Sequence, residues 1–154
     1  MIIRLATTSD ASGLYELNAL ANNSDCTTLE RMEKALDNLA NEIVFVALDD
    51  KRYIGYGCCI VINSVCYAEP YAELLELYVR ENYRQLGVGT ALMKSMEDEC
   101  RKSGVNFFQL ATGLNNVKAQ SFYEKLGYTR KRICYLKGFM RDRNGKIYYQ
   151  VTGD

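Results

Sequence analysis

The chain has 154 residues, enough for one domain with a single hydrophobic core. Its 19 basic and 19 acidic side chains cancel, which argues against a dedicated nucleic-acid-binding protein, because such proteins carry a basic surplus. No apolar run is long enough to span a bilayer, and MIIRLATTSDAS at the amino terminus lacks the apolar core of a signal peptide. We therefore expect a cytoplasmic protein that binds neither nucleic acid nor membranes.

The first half of the chain alternates extended and helical patterns. In chain order they predict a strand at residues 1–6, helices at 11–23 and 28–41, and strands at 42–48, 53–67 and 73–79. Thr8, Ser9 and Asp10 come directly before the first helix and offer N-cap oxygens for it.

The second half of the chain follows the same alternation. The patterns predict a helix ending near residue 103, a strand at 105–111, a helix at 116–126, and strands at 128–136 and 146–151 joined by a turn at 141–146. Gly104 and Gly127 follow the two helices, where glycine commonly closes a helix. This order of elements predicts a mixed α/β domain built around one sheet.

The cysteines and the missing histidine exclude two kinds of chemistry. Six cysteines are present without a Cys-x-x-Cys pair, and the chain has no histidine. We therefore predict no metal site, because zinc sites use closely spaced cysteine and histidine ligands. A cysteine nucleophile would likewise lack its usual imidazole base. The expected state of the cysteines is reduced and structural.

A glycine-rich turn, RQLGVG at residues 84–89, leads into the third helix. Gly87 and Gly89 would let a ligand approach the backbone, and Arg84 adds donors suited to phosphate oxygens. A tight turn without a ligand explains the glycines equally well. A P-loop would need a lysine before Thr90, and a dinucleotide fingerprint would need glycine where Leu92 stands. If the turn binds phosphate, a metal-free pyrophosphate fits better than a nucleoside triphosphate.

A second motif, NNVKAQSFYEKLGY, occupies residues 115–128. Ala119, Phe122, Tyr123 and Leu126 fall on one face of the predicted helix, and Asn116 stands at the N-cap position. Phe122 and Leu126 are expected to pack in the core. The hydroxyl of Tyr123 needs a polar partner on such a face, because burying it unpaired costs free energy.

The order and separation of the two motifs resemble those of the GNAT superfamily of acyl-CoA-dependent N-acetyltransferases. RQLGVG has the form Arg/Gln-x-x-Gly-x-Gly/Ala after the strand LLELYV, and the second motif has the form Asn-x-x-Ala-x-x-Phe-Tyr-x-x-x-Gly-aromatic. The resemblance implies a single GNAT-like domain over residues 1–154. Its mostly antiparallel seven-stranded sheet would be flanked by four helices and splayed between strands 4 and 5.

The resemblance also implies acetyl-CoA as the cofactor and a role for each matching residue. Main-chain groups of Leu77 and Val79, and Asn116, would contact the pantetheine arm, amides 85–90 would hold the pyrophosphate, and Tyr123 would protonate the leaving thiolate. The full set of expected cofactor-binding residues is Leu77, Tyr78, Val79, Arg84, Gln85, Leu86, Gly87, Val88, Gly89, Thr90, Asn116, Ala119, Phe122 and Tyr123. The expected partner is a primary amine on a small molecule or peptide, and dimers through the C-terminal strands are common among similar proteins.

Glu76 is the residue chosen as the catalytic base. Strand alternation predicts Leu74, Glu76 and Tyr78 on one face, and Glu73, Leu75, Leu77 and Val79 on the other. A carboxylate in mid-strand is costly to bury without a purpose. Glu73 and a chain of water molecules stay open as alternative bases. A non-catalytic acyl-CoA sensor is the alternative function, and the presence of Tyr123 argues against it.

Overall fold

The structure is a computed structural model that describes residues 1–22, 27–135, 140–141 and 147–148. The helices are α1 (Ala11–Asn22), α2 (Leu29–Asp37), α3 (Val88–Lys102) and α4 (Val117–Lys125). The strands are β1 (Ile2–Leu5), β2 (Glu42–Asp49), β3 (Arg52–Ile62), β4 (Tyr71–Val79), β5 (Phe108–Leu110), β6 (Met140–Arg141) and β7 (Ile147–Tyr148). The chain divides into two compact units, Met1–Leu110 and Ala111–Asp154.

The first unit contains a five-stranded sheet in the order β1-β2-β3-β4-β5. Strands β1 to β4 pair antiparallel, and β5 runs parallel to β4. This confirms the mixed α/β class and the four predicted helices. The expected seven-stranded sheet is not confirmed, because in the described part of the chain β6 and β7 pair with each other as a separate two-stranded sheet.

Helices cover the two faces of the five-stranded sheet. On one face, Leu14 and Leu17 of α1 belong to the same buried cluster as Val46 of β2. On the other face α3 lies very close to β3, since a Cβ placed on Gly57 would stand 2.6 Å from the end of the Met96 side chain. Glycine at this position lets the helix approach the strand. Packing on both faces buries most of β3, the central strand of the sheet.

Asp10 was predicted to offer an N-cap oxygen for α1, but its carboxylate binds the amino-terminal strand instead. Thr7 is the N-cap residue, and residues Thr8–Asp10 form a 3₁₀ turn that runs into α1. The Asp10 carboxylate is 1% exposed and accepts hydrogen bonds from Arg4 (2.7 Å from each of two nitrogens), the Tyr53 hydroxyl (2.6 Å) and the Thr7 amide (2.8 Å). Burial opposes ionisation, but these donors outweigh it and hold the pKa of Asp10 well below its usual range.

Of the two predicted C-terminal strands, the first is wrong, whereas β7 (Ile147–Tyr148) lies within the second, predicted at 146–151. Residues 128–135 form no strand, although a strand was predicted at 128–136. Tyr128 is half-buried, and residues 129–135 are all exposed. The segment therefore lacks the alternating burial of a strand. Of the predicted turn at 141–146, Arg141 belongs to β6. Residues 136 and 142–146 lie outside the described residues. Strand β3 likewise ends at Ile62, and residues 63–70 form a loop in place of the predicted extension.

Candidate functional site

Only the first half of strand β4 is paired with β5. Its pairing with β5 runs from Ala72↔Phe108 to Leu74↔Leu110 and ends there, while β4 continues to Val79. The second half of β4 therefore keeps its ladder with β3 but has no partner strand in the five-stranded sheet on its other side. Leu77, Tyr78 and Val79, which were singled out from the sequence, all lie in this half.

A β-bulge in the middle of β4 changes the predicted faces of the strand. Cys58 of β3 pairs with Glu76 and Cys59 pairs with Leu74, so Leu75 is an extra residue between them. Leu74 is buried opposite Cys59, and Glu76 is exposed. The prediction that Leu74 and Glu76 share a face is therefore wrong, because the extra residue shifts the alternation by one position.

Glu76 lies beside two other ionisable groups on the same face. The Cys58 thiol donates a hydrogen bond to Oε1 of Glu42 (3.2 Å), and Glu76 pairs with Cys58 across the ladder. Partial burial raises the pKa of Glu76 above its usual value. Burial, with the charges of Glu42 and Glu76, raises the pKa of the Cys58 thiol well above its usual range. Cys58 therefore stays protonated and is a poor nucleophile, whereas Glu76 is exposed enough to exchange protons with solvent.

The alternative base Glu73 has a partner on the neighbouring strand. Its Oε2 accepts a hydrogen bond from Nε2 of Gln109 at 2.9 Å, and the two residues pair directly in the parallel ladder between β4 and β5. Glu73 thus stands on the closed half of β4. Its pairing gives it a structural role at the point where the two strands meet.

The glycine-rich turn presents a run of free amides. Gln85 and Gly87 adopt left-handed backbone conformations with φ of 62° and 83°, and Gly87 is the N-cap of α3. The first helical amide to find a partner is that of Ala91, which donates to the Gly87 carbonyl at 2.9 Å. Within the described part of the chain, none of the amides of residues 85–90 makes a close, well-aligned hydrogen bond, although residues 84–87 have the backbone of a hydrogen-bonded turn. Such a run at a helix N-terminus attracts an anion.

Arg84 ties this turn to the end of β4, and Arg80 ties the end of β4 to β3. Nε of Arg84 donates to the Val79 carbonyl at 3.0 Å, and its guanidinium lies 5.8 Å from the centre of the Tyr78 ring. Nε of Arg80 donates to the Tyr53 carbonyl at 2.7 Å. The free amides are therefore held at a fixed place beyond the open half of β4. Half of the Arg84 side chain stays exposed, and its remaining N–H groups can reach a ligand.

The second unit holds the other predicted site residues on α4. Oδ1 of Asn116 accepts a hydrogen bond from the Ala119 amide at 3.2 Å, which confirms Asn116 as the N-cap. Ala119, Phe122, Tyr123 and Leu126 are half-buried, which agrees with their predicted common face. The prediction that Phe122 and Leu126 pack in the core is wrong, because neither side chain is fully buried. Gly127 closes the helix, as predicted, and does so in the left-handed conformation, with a φ of 93°.

Two features of the site could not be found from the sequence. Arg80 was not singled out, although its side chain is 15% exposed and also pairs with Glu16. The bulge at Leu75 was missed because a single inserted residue leaves no mark on the apolar pattern. The sequence shows only that Arg80 follows directly after a strand, in YVRENYR, and does not show that its side chain is largely buried.

Comparison with known proteins places the chain in a family. A model described as the Acetyltransferase (GNAT) family matches residues 12–128. N-alpha-acetyltransferase 30 of Schizosaccharomyces pombe is 35% identical over 95 residues, covering 61% of this chain and 62% of that protein. A putative acetyltransferase from Agrobacterium tumefaciens superposes with a TM-score of 0.79 at 23% identity, covering 88% of this chain and 98% of that one. AAC(6')-Iy in complex with the bisubstrate analogue CoA-S-monomethyl-acetylneamine superposes with a TM-score of 0.76 at 20% identity, covering 89% and 97%.

At 23% and 20% identity, the two superposed structures show that this chain shares their fold. The chain spans 62% of the length of the S. pombe relative and between 42% and 54% of the three relatives that follow it in similarity. The family model covers most of the chain, including both motifs. This protein therefore belongs to the GNAT family of acetyltransferases.

Proposed function

We propose that the protein transfers an acetyl group from acetyl-CoA directly to a primary amine. The observation that carries the proposal is the run of free amides at residues 85–90, which the Arg84 side chain ties to the open half of β4. In the absence of a metal, a pyrophosphate needs several hydrogen-bond donors, and the amide-containing pantetheine arm needs a free strand edge. The first unit offers both next to each other. The GNAT family and the coenzyme A analogue bound to a protein of the same fold support this assignment.

In this proposal each part of coenzyme A has its own residues. The amides of residues 85–90, with Gly87 at their centre, bind the pyrophosphate, and Arg84 adds charge through its exposed N–H groups. Main-chain groups of Leu77 and Val79 bind the pantetheine arm along the strand edge, with the Tyr78 backbone between them. On α4, Asn116 would contact the arm, and Ala119, Phe122 and Tyr123 would also bind the cofactor, as the resemblance to the GNAT family implies.

Glu76 and Tyr123 would handle the protons of the reaction. The attacking amine must be neutral, and deprotonating an ammonium of pKa about 10.4 at pH 7 costs roughly 4 to 5 kcal/mol. A positioned base supplies about 10²- to 10⁴-fold in rate, and the raised pKa of Glu76 brings this carboxylate closer to the pKa that such a base needs. Tyr123 would return a proton to the departing thiolate. No covalent enzyme intermediate is required, which agrees with the protonated state of Cys58.

The acceptor is proposed only as a class, a primary amine on a small molecule or peptide. The S. pombe relative is named for acetylation of α-amines, and the analogue bound to AAC(6')-Iy contains an acetylated neamine. These two proteins suggest two arms of an acceptor panel. Within the described residues, no helix has the length and apolar character needed to cross a bilayer. A cytoplasmic location and a homodimer stay predictions.

The first experiment is calorimetric titration with acetyl-CoA in the presence of EDTA, with ATP and NAD as controls. We expect binding of acetyl-CoA alone. Thiol release is then measured with a short peptide carrying a free α-amine, with 1,4-diaminobutane and with an aminoglycoside. No binding of acetyl-CoA would refute the proposal.

The variant Tyr123→Phe separates an enzyme from an acyl-CoA sensor. The enzyme should lose rate while the Kd for acetyl-CoA stays the same, because only the hydroxyl that donates the proton is removed. Binding of acetyl-CoA without thiol release for any amine would favour the sensor. Full turnover by Tyr123→Phe would instead remove Tyr123 from the role of acid.

A further inference from the structure

The segment that follows α4, residues 127–130, folds back onto the helix that carries Tyr123; it is called the return segment below. The Gly127 amide donates to the Glu124 carbonyl (3.0 Å), and the Tyr128 amide donates to the Tyr123 carbonyl (3.0 Å). These two bonds, with Gly127 in the left-handed conformation, form a Schellman motif. Tyr123 is the first residue of this closing turn, so its backbone is fixed by the residue that follows the helix.

The side chains of the return segment continue the contact. The Tyr128 ring meets the Tyr123 ring edge to face, with centroids 6.0 Å apart and planes at 71°. The Phe122 ring also stands close to Tyr123, with centroids 5.2 Å apart and planes at 63°. The Tyr123 ring thus contacts two other rings, each in the tilted geometry that aromatic pairs prefer. A change in the side-chain rotamer of Tyr123 would disturb both contacts.

Arg130 fastens the return segment to the helix surface. Its Nε donates to Oε1 of Glu124 (3.0 Å), and Nη2 donates to Oε1 of Gln120 (2.8 Å). Nε2 of Gln120 in turn donates to the carbonyls of Gly113 and Leu114, at 2.9 and 2.8 Å. One arginine therefore links the segment after α4, the helix itself and the loop that leads to Asn116. The two bonded helix residues, Gln120 and Glu124, lie one turn apart on either side of Tyr123 in sequence.

We propose that Tyr128 and Arg130 are positioning residues that hold the Tyr123 hydroxyl in the orientation needed for proton transfer. The inference rests on the function proposed above. A hydroxyl that delivers a proton must stay within hydrogen-bond reach of the leaving group, and small displacements of a reacting group cost large factors in rate. Tyr128 fixes the ring, and Arg130 fixes the segment that carries Tyr128. Neither residue needs to touch the substrate.

The test is a double-mutant cycle on kcat with four proteins: the wild type, Tyr123→Phe, Tyr128→Ala and the double variant. The acceptor is the fastest amine of the panel. We expect Tyr128→Ala to lower kcat by about 10- to 100-fold and to leave the Kd for acetyl-CoA unchanged. In the Tyr123→Phe background, which has no hydroxyl to position, Tyr128→Ala should cause no further loss. A residue that only stabilises the fold would lower the rate in both backgrounds.

Arg130 supplies a second test that keeps the Tyr128 ring in place. Arg130→Gln should lower kcat and lose that effect in the Tyr123→Phe background, and Arg130→Lys should recover part of the rate because it can reach one of the two acceptors. Lys131→Gln is the matched control, since it removes a neighbouring exposed charge in the same segment. Equal effects of Arg130→Gln and Lys131→Gln would refute the role of Arg130.

A measurement without an acceptor completes the test. In protein labelled with ¹³C in the tyrosine rings, NMR follows the Tyr123 ring directly, and Tyr123→Phe identifies its signal. We expect Tyr128→Ala to move that signal and to speed ring rotation. An unchanged Tyr123 signal, or equal loss of kcat in both backgrounds, would overturn the proposal. Full activity of Tyr123→Phe would instead contradict the proposed role of Tyr123 as the acid. The same cycle therefore distinguishes failure of the proposed function from failure of this inference.

Discussion

Replacing Gly87 by alanine tests whether the glycine turn serves a ligand or only the helix. Gly87 has a φ of 83°, and a Cβ placed there would meet no atom within 4 Å. The substitution therefore causes backbone strain without a steric clash inside the protein. The left-handed conformation costs an L-residue about 1 to 2 kcal/mol. A loss of about 1 kcal/mol would lower the Tm of a chain of this size by roughly 2 to 4 °C.

Gly104 provides a matched control at the other end of the same helix. Its φ is 75°, and a Cβ placed there would also meet no atom within 4 Å. Gly104→Ala should therefore cost about as much stability as Gly87→Ala. The difference between the two variants is their surroundings: Gly87 stands among the free amides of residues 85–90, and Gly104 follows the last turn of α3.

Only Gly87→Ala should weaken the binding of acetyl-CoA. If relaxation of the strained turn removes 1.4 kcal/mol of amide–phosphate interaction, the Kd rises about tenfold, and we expect at least this change by calorimetry. Thermal unfolding of both variants, followed by circular dichroism, checks that their losses of stability match. Equal Kd values for Gly87→Ala and Gly104→Ala would refute the phosphate role of the turn, whatever the two Tm values are.

Three other variants test the proton, phosphate and fold assignments. Glu76→Gln should lower kcat/KM by about 10²- to 10⁴-fold and leave the Kd for acetyl-CoA unchanged, while Glu73→Gln should have a smaller effect. Because burial raises the pKa of Glu76, the acidic limb of the wild-type pH–rate profile should lie above the usual Glu range. Arg84→Gln should raise the Kd for acetyl-CoA, with a smaller dependence of Kd on salt than in the wild type, because it removes an exposed charge; an unchanged Kd and salt dependence would exclude Arg84 from the site. Asp10→Asn should cost about 2 kcal/mol by urea unfolding, because it weakens the hydrogen bonds of a buried carboxylate to Arg4 and Tyr53, and Asp50→Asn at an exposed position is its control. The folded-state pKa of Asp10 is depressed, so its contribution is complete above about pH 4 and is lost as the pH falls below that; equal acid unfolding of wild type and Asp10→Asn would contradict this.

Local signals in the sequence predicted much of the fold and of the candidate site. The caps at Asn116, Gly104 and Gly127 were predicted because they depend on residue types and backbone angles within a single turn. The glycine-rich turn was found for the same reason. The predicted N-cap before α1 was wrong, since the oxygens of Asp10 are taken by Arg4 and Tyr53 from other strands. The predicted strand at residues 128–136 was wrong because Tyr128 and Arg130 bond back to α4.

The helices and the glycine-rich turn before α3 were predicted from the sequence, because each depends on residues within a few positions of one another. The family was identified from two such local motifs and from their order and separation along the chain. The tertiary structure decided which way the side chains of β4 face. A bulge at Leu75 is a property of the pairing between β3 and β4, and it places Glu76 on the side opposite to Leu74. It also decided that β5 pairs with β4 only as far as Leu74, which leaves the second half of β4 open. Register is set by contacts between strands that are distant in sequence, and no local pattern records it.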